Sequence, residues 1–207
     1  MKTIVYFIRH AEYMTNSFYG EYDVNENWKM KDEKRPLSIN GEKNAESLLK
    51  KPVFDDVEVI YSSHYARCIG TAKYLSERLD LTINITDKLQ ERIHGDVEGT
   101  NPNNFYYNQS HDFNYKLPKG ESINDTSLRI KKIFADIVFT HCGKNIAIFT
   151  HEHAIISFLT KYCEVAYNLD DELMLSYNEH NFTMPLAAPD AFKVVLDDNE
   201  VVDIEKL

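Results

Sequence analysis

Three short segments of this chain are mainly apolar and rich in β-branched and aromatic residues. They are residues 3–8, 57–61 and 145–149. Segments of this kind have little or no polar face, which is typical of strands buried on both sides in a parallel sheet. The pattern therefore predicts three buried strands, widely separated along the chain.

Amphipathic segments alternate with these strands. Ser38 is placed to cap a helix that Pro52 ends, and residues 65–79 carry apolar positions at helical spacing. A longer helix is predicted from about Ser122 to Gly143. The remaining predictions are a helix at 153–163, extended segments at 82–86, 191–196 and 200–204, and loops at 13–36 and 96–120.

The alternation of strands and helices predicts an α/β fold, a three-layer α/β/α sandwich around a mostly parallel central sheet. Residues 96–120 interrupt it with Asn, Tyr, Phe and two prolines and show little periodicity. We expect them to form a small, loop-rich cap insertion. The length of 207 residues suits a single domain over residues 1–207.

Polar residues follow each predicted buried strand. Arg9-His10 follows the first, Ser62-Ser63 leads to Arg67 after the second, and Thr150-His151 follows the third. Because ligands of open parallel sheets bind beyond the carboxyl ends of the strands, these side chains should converge on one crevice. Arginine favours phosphate as the ligand, and a histidine beside it can act as a nucleophile toward phosphorus.

The residues that carry this chemistry resemble the histidine phosphatase superfamily, the phosphoglycerate-mutase-like proteins. Arg9-His10-Ala11-Glu12 is similar to the RHGE signature of that family. Further similarities follow in the family's order: Pro36-Leu37-Ser38 with Gly41, Ser62-Ser63 with Arg67, Leu89, Glu91 and Arg92 with Gly95, Gly120-Glu121-Ser122 with Arg129, and Thr150-His151. Six motifs in order cover nearly the whole chain and make a strong signal.

The resemblance implies roles for the matching positions. His10 is implied as the nucleophile, which carries a transient phosphohistidine. Arg9, Arg67 and His151 are implied to bind the phosphoryl oxygens, and Glu91 to donate a proton to the leaving oxygen. No metal or other cofactor is implied.

Four further residues complete the candidate site as substrate contacts: Asn16, Ser63, His64 and Arg92. For Glu91 to act as an acid at neutral pH, we expect a desolvated pocket to raise its pKa. For His10 to attack, one ring nitrogen must be unprotonated, and a backbone carbonyl can hold the proton on the other.

The chain departs from the family pattern at three positions. Ala11 and Glu152 stand where the family has glycines after its two histidines, and His64 replaces a proline. Glu152 places an extra carboxylate near the pocket. We expect the neighbouring His153 to begin a helix and face away from the site.

The net charge of −10, from 23 basic and 33 acidic residues, argues against nucleic acid or an anionic membrane as partner. A small phosphorylated molecule held by a locally basic pocket remains compatible with it. Three widely spaced cysteines and no long apolar segment indicate a reduced, cytoplasmic protein. The oligomeric state is left open.

A metal-independent phosphomonoester phosphatase is the function that these features favour. A mutase acting on bisphosphates needs extra basic residues over the pocket, whereas residues 96–120 offer only Lys116 and Lys119. Phosphoglycerate-mutase-type transfer is the first alternative. A catalytically inactive member that binds a phosphorylated ligand is the second.

Overall fold

A computed structural model describes residues 1–15, 32–96 and 100–207 of the chain. Its central feature is a six-stranded sheet. The strands are Lys2–Arg9 (β1), Val59–Ser63 (β2), Ile83–Thr86 (β3), Asn145–Thr150 (β4), Asp190–Asp197 (β8) and Glu200–Lys206 (β9), and they lie in the order β3-β2-β4-β1-β8-β9. The first four are parallel, whereas β8 is antiparallel to β1 and β9 is antiparallel to β8. The prediction of a mostly parallel sheet is confirmed.

Helices flank this sheet, as predicted. The α-helices of eight or more residues in the described part are Ile39–Leu49 (α1), Ala66–Leu79 (α2), Pro102–His111 (α3), Ile123–Thr140 (α4) and Glu152–Leu159 (α5), and single 3-10 turns lie at Pro52–Phe54 and Asp87–Leu89. Successive residues of β1 pack to opposite sides: Phe7 lies against Phe158 of α5, whereas Ile8 belongs to the cluster that contains Leu49 and Cys68. This alternation explains why the strand has no polar face.

Local capping begins two helices where the sequence indicates it. The Ser38 hydroxyl accepts a hydrogen bond from the Gly41 amide at 3.0 Å. Ser122 and Asp125 form a reciprocal capping box at the start of α4. A Cβ on Gly41 would lie 1.9 Å from the Glu12 carbonyl oxygen. Glycine therefore lets α1 lie directly against the segment that follows His10.

The segment 96–120 is less loop-rich than predicted, because α3 occupies residues 102–111. Asn101 caps α3 by accepting from the Asn103 amide at 2.9 Å, and a proline at the first helical position suits its start. The apolar helix predicted at 153–163 is α5, which ends earlier, at Leu159. That the chain forms a single domain stays a prediction.

A second, antiparallel sheet was not predicted. It contains Glu164–Tyr167 (β5), Leu173–Tyr177 (β6) and His180–Thr183 (β7) in that order. Its strands are four or five residues long, and β5 is exposed throughout, so the sequence lacks a clear alternation there. Phe182 joins this sheet to the main one by packing 5.2 Å from Phe192, between ring centroids.

Helices long and apolar enough to span a bilayer are absent from residues 1–15, 32–96 and 100–207.

Candidate active site

The two candidate histidines meet because their strands are neighbours. Arg9 at the end of β1 is in register with Thr150 at the end of β4, and the His10 amide donates to the Thr150 carbonyl at 3.0 Å. The next residue on each strand is therefore a histidine at the same edge of the sheet. The ring centroids of His10 and His151 lie 5.1 Å apart.

His10 is buried, and its two ring nitrogens have different partners. Nδ1 lies 2.8 Å from the Ala11 carbonyl oxygen, which can only accept, so Nδ1 carries the proton. Nε2 then accepts a hydrogen bond from Arg67 Nε at 3.1 Å. Burial, reinforced by the charges of Arg67 and Arg9, lowers the pKa of His10 to about 3. At neutral pH the ring is uncharged, with a lone pair on Nε2.

Arg67 brings positive charge directly to this nitrogen. Its guanidinium is buried between the rings of Tyr13 and Tyr65, at 4.7 and 4.6 Å from their centroids. It donates to the Asp32 backbone carbonyl at 2.9 Å and pairs with the Asp32 carboxylate at 3.3 Å, and its Nη2 also lies 3.4 Å from His151 Nδ1. The planar group is thereby held between both histidines, where a phosphoryl group would meet its N–H groups.

His151 is fully buried and contacts the end of β2. Its Nε2 lies 2.9 Å from the Ser63 hydroxyl and 3.4 Å from Cys68 Sγ. Burial lowers the pKa of His151 well below its ordinary value, despite the nearby carboxylate of Glu91. Ser63 thus orients His151, and the N–H of the neutral ring can donate a hydrogen bond to a phosphoryl oxygen.

Arg9 lies beside His10 but is already paired. Its Nη2 forms an ion pair with Glu152 Oε2 at 2.9 Å, and its Nη1 donates to the Leu186 carbonyl. Glu152 Oε1 also accepts from the Leu186 amide at 2.9 Å. The carboxylate that replaces the family's glycine therefore neutralises one of the two arginines implied to bind phosphate.

Glu91 is mostly buried and receives hydrogen bonds from two backbone amides. Arg92 N donates to Oε1 at 2.8 Å and His153 N to Oε2 at 3.4 Å. Burial alone would raise the pKa of Glu91, but interactions with His153 and the other donors outweigh it and hold the pKa well below its ordinary range. The expectation of a raised pKa is wrong, because the sequence did not show these donors.

The expectation that His153 faces away is also wrong. Its ring Nδ1 lies 3.7 Å from Glu91 Oε2, and its Nε2 lies 3.0 Å from Gln109 Nε2 on α3. His153 therefore connects the candidate proton donor to the insertion. The sequence does carry one sign of this role for His153. It lies two residues after His151, in the first turn of α5, and the first turn of a helix that begins at a site lies close to that site.

The remaining candidates lie farther out. His64 is partly exposed, with its Nε2 3.5 Å from Glu33 Oε1. Arg92 is buried against the ring of Phe105 at 4.9 Å and donates to the Glu121 carbonyl at 2.9 Å, so its described contacts are to the insertion and the start of α4. Asn16 lies outside the described residues.

Within the described residues, no group of three or more His, Cys, Asp or Glu side chains is placed to hold a metal ion. The site there is a cluster of two neutral histidines, a central arginine and an ionised carboxylate. Such a cluster can bind a phosphoryl group and offers a nitrogen nucleophile to it.

Comparison with known proteins agrees with this geometry. The model of a family described as "Histidine phosphatase superfamily (branch 1)" matches residues 5–182. The chain belongs to the histidine phosphatase superfamily. The match includes both candidate histidines, Arg67 and Glu91.

The proteins and solved structures similar to this chain carry phosphatase and mutase names. The chain is 27% identical over 168 residues to "Putative phosphoserine phosphatase 2" of Hydrogenobacter thermophilus, which covers 75% of this chain and 78% of that protein. YhfR of Bacillus stearothermophilus superposes with a TM-score of 0.70 at 20% identity, over 97% of this chain and 94% of that one. A phosphoglycerate mutase from Bacillus anthracis superposes with a TM-score of 0.68 at 17% identity, over 100% and 92%. The structural neighbours show that the fold is shared. Since both phosphatases and a mutase have this fold, it does not distinguish hydrolysis from mutase activity.

Proposed function

We propose that this histidine phosphatase hydrolyses a phosphomonoester of a small molecule, without a metal ion, through a phosphohistidine on His10. The observation that carries the proposal is the buried, neutral His10 ring, whose Nδ1 proton is held by the Ala11 carbonyl at 2.8 Å. This arrangement directs the lone pair of Nε2 into the site beside Arg67.

The first half of the reaction transfers the phosphoryl group to the protein. The Nε2 lone pair attacks phosphorus, the bond between phosphorus and the ester oxygen breaks, and Glu91 gives its proton to that oxygen. Arg67 moves its Nε hydrogen bond from His10 Nε2 to a phosphoryl oxygen and balances the phosphoryl charge, and the neutral His151 adds a hydrogen bond without a charge. A bound phosphoryl dianion raises the pKa of Glu91 by charge repulsion, so the substrate itself favours the protonated acid.

The second half returns the site to its first state. The Glu91 carboxylate takes a proton from water while the water oxygen attacks phosphorus and the bond to Nε2 breaks. Inorganic phosphate leaves, and His10 is again neutral. The alcohol and phosphate are the only products.

The choice of hydrolysis over mutase activity rests on charge. A mutase of this family must hold a second anionic group beyond the phosphoryl site. The extra arginines that would serve it are absent from residues 100–120, and Glu152 neutralises Arg9. An acidic surrounding favours one phosphoryl group over a bisphosphate.

A direct assay tests this proposal. We expect a generic aromatic phosphomonoester to be hydrolysed at full rate after removal of divalent metals with chelator, with release of inorganic phosphate. Bisphosphoglycerate should not stimulate phosphoryl exchange between glycerates. Hydrolysis that requires an added metal would refute the mechanism, exchange would indicate a mutase, and phosphate binding without turnover would indicate an inactive binding protein.

Glu152→Gln should strengthen binding of phosphate. The amide oxygen can still accept from the Leu186 amide, but the ion pair with Arg9 is lost and its charge becomes available. A partly exposed pair contributes up to about 1 kcal/mol, which corresponds to roughly fivefold in affinity. We therefore expect the inhibition constant of inorganic phosphate to fall by roughly that factor.

The matched control is Glu200→Gln, which removes an exposed carboxylate from β9. It should leave phosphate inhibition unchanged. Weaker phosphate binding in Glu152→Gln than in this control would mean that Glu152 helps rather than limits Arg9.

A further inference from the structure

A cavity of about 360 Å³ lies beside the candidate active site. Its walls come from α3, the start of α5 and the turn before β6. Tyr106 and Tyr107 line it from α3, and Asp171 and Glu172 line it from the turn. Its volume suits a small organic group.

The cavity and the candidate active site share two residues. Glu152 and His153 both line the cavity. Glu152 pairs with Arg9, and the His153 ring lies 3.7 Å from Glu91 Oε2. Since Glu91 is the group that would protonate the ester oxygen, the organic part of a bound phosphomonoester would extend from that oxygen toward His153 and into this cavity.

Gln109 supplies an independent sign that the cavity takes a polar ligand. This side chain lines the cavity and is 4% exposed. Its Nε2 contacts His153, but its Oε1 has no hydrogen-bond partner within the part of the chain that the structure describes. A buried acceptor without a donor is unfavourable. A ligand that brings an N–H or O–H group to this oxygen would remove that cost and bind more tightly.

The charges of the lining favour a cation over an anion. Asp171 and Glu172 line the cavity together with two histidines and with Glu152, whose charge Arg9 balances, and the described lining includes no lysine or arginine. Asp171 pairs with His111 at 3.1 Å, and the Glu172 carboxylate accepts a hydrogen bond from the neutral Asn168 side-chain amide at 2.9 Å. The tyrosine rings add faces that attract a cation.

We propose that this cavity holds the leaving group and selects a phosphomonoester whose alcohol carries an ammonium group. The proposal rests on the phosphatase function proposed above. The ammonium group would donate to Gln109 Oε1 and be attracted by Asp171 and Glu172. An alcohol that carries a carboxylate at the same position would bind more weakly, because the carboxylates of Asp171 and Glu172 would repel it.

Three matched substrates test this selection: the phosphates of 4-(aminomethyl)benzyl, 4-methylbenzyl and 4-carboxybenzyl alcohol. The charged groups are far from the ester oxygen, so differences in kcat/KM report mainly on the cavity. We expect the ammonium substrate to exceed the neutral one several-fold and the carboxylate one at least roughly tenfold, as two carboxylates partly exposed to solvent would give.

The variant Asp171→Asn/Glu172→Gln should collapse this preference toward unity while hydrolysis of the neutral substrate continues. Asn suits position 171, where φ is +61°. Gln109→Met should lower kcat/KM for the ammonium substrate more than for the neutral one. Glu164→Gln on the exposed strand β5 is the control and should keep the wild-type ratios.

Calorimetry on the His10→Ala protein measures how tightly the cavity binds the product alcohols when no catalysis occurs. The aminomethyl alcohol should bind more tightly than the carboxy alcohol. Equal kcat/KM for all three substrates, or the same preference in the double variant, would overturn the selection and leave the phosphatase function standing. If none of the three is hydrolysed and no phosphohistidine forms, the function fails and this proposal with it.

Discussion

His10→Ala protein should lose turnover of every phosphomonoester by on the order of 10⁴-fold or more, because it lacks the nucleophile. The loss should not depend on how good the leaving group is, since the bond to Nε2 must form before any group departs. The neighbouring His151 is not equivalent to His10, because its Nε2 contacts Ser63 and its Nδ1 contacts Arg67 Nη2.

Two measurements check this result. The first is kcat with an aryl and an alkyl phosphate. The second is trapping of the phosphoprotein by rapid acid-free denaturation, which should give a label stable in base and labile in acid in the wild type and none in His10→Ala. His180→Ala, which removes a partly exposed histidine on β7, serves as the matched control and should retain full activity. A tenth of wild-type turnover in His10→Ala would contradict the mechanism.

Glu91→Gln should slow hydrolysis according to the leaving group. An alkoxide is a poor leaving group and needs the proton, so alkyl phosphates should lose about 10²- to 10⁴-fold in rate of phosphoryl transfer. An aryl phosphate with an acidic phenol needs little protonation and should lose much less in that step. Single-turnover release of the alcohol or phenol isolates this step. Glu77→Gln, an exposed carboxylate on α2, is the control.

The pH dependence follows from the same two residues. Only protein with Glu91 protonated and His10 neutral, before or after substrate binds, is productive for alkyl phosphates. Because the pKa of Glu91 is held well below its ordinary range, its protonated fraction falls as the pH rises through the acid range toward neutrality. His10, with its pKa lowered to about 3, limits activity only in strong acid.

The ratio of kcat/KM for an alkyl phosphate to that for an aryl phosphate should therefore decrease with increasing pH in the wild type. This ratio largely cancels the ionisation of the phosphate group itself. In Glu91→Gln it should be low and independent of pH. A ratio that rises with pH in the wild type would show that Glu91 does not act as the acid.

The helices and main strands follow from local patterns. An apolar segment such as β1 is stable when both of its faces are buried. A serine before an amphipathic segment favours the start of a helix, because its hydroxyl accepts a hydrogen bond from a free amide of the first turn, as Ser38 does for α1. The strands β5–β7 are not predicted, because they are short and the edge strand β5 is exposed along its whole length. Apolar and polar residues therefore alternate too little there to indicate a strand. Helix α3 was missed because its apolar residues are spread among asparagines and tyrosines.

The sequence by itself determined the chemistry available to this protein: the two histidines after buried strands, the arginine on the helix between them, and the family to which they belong. Tertiary structure alone decided how these groups are charged and paired. Contacts between residues far apart in the chain, such as Arg9 with Glu152 and Glu91 with His153, set the local field, and no spacing along the sequence encodes such contacts. The depressed pKa of Glu91 and the acidic cavity beside it arise from that long-range packing, because burial and neighbouring charge, rather than residue type, determine protonation and ligand choice.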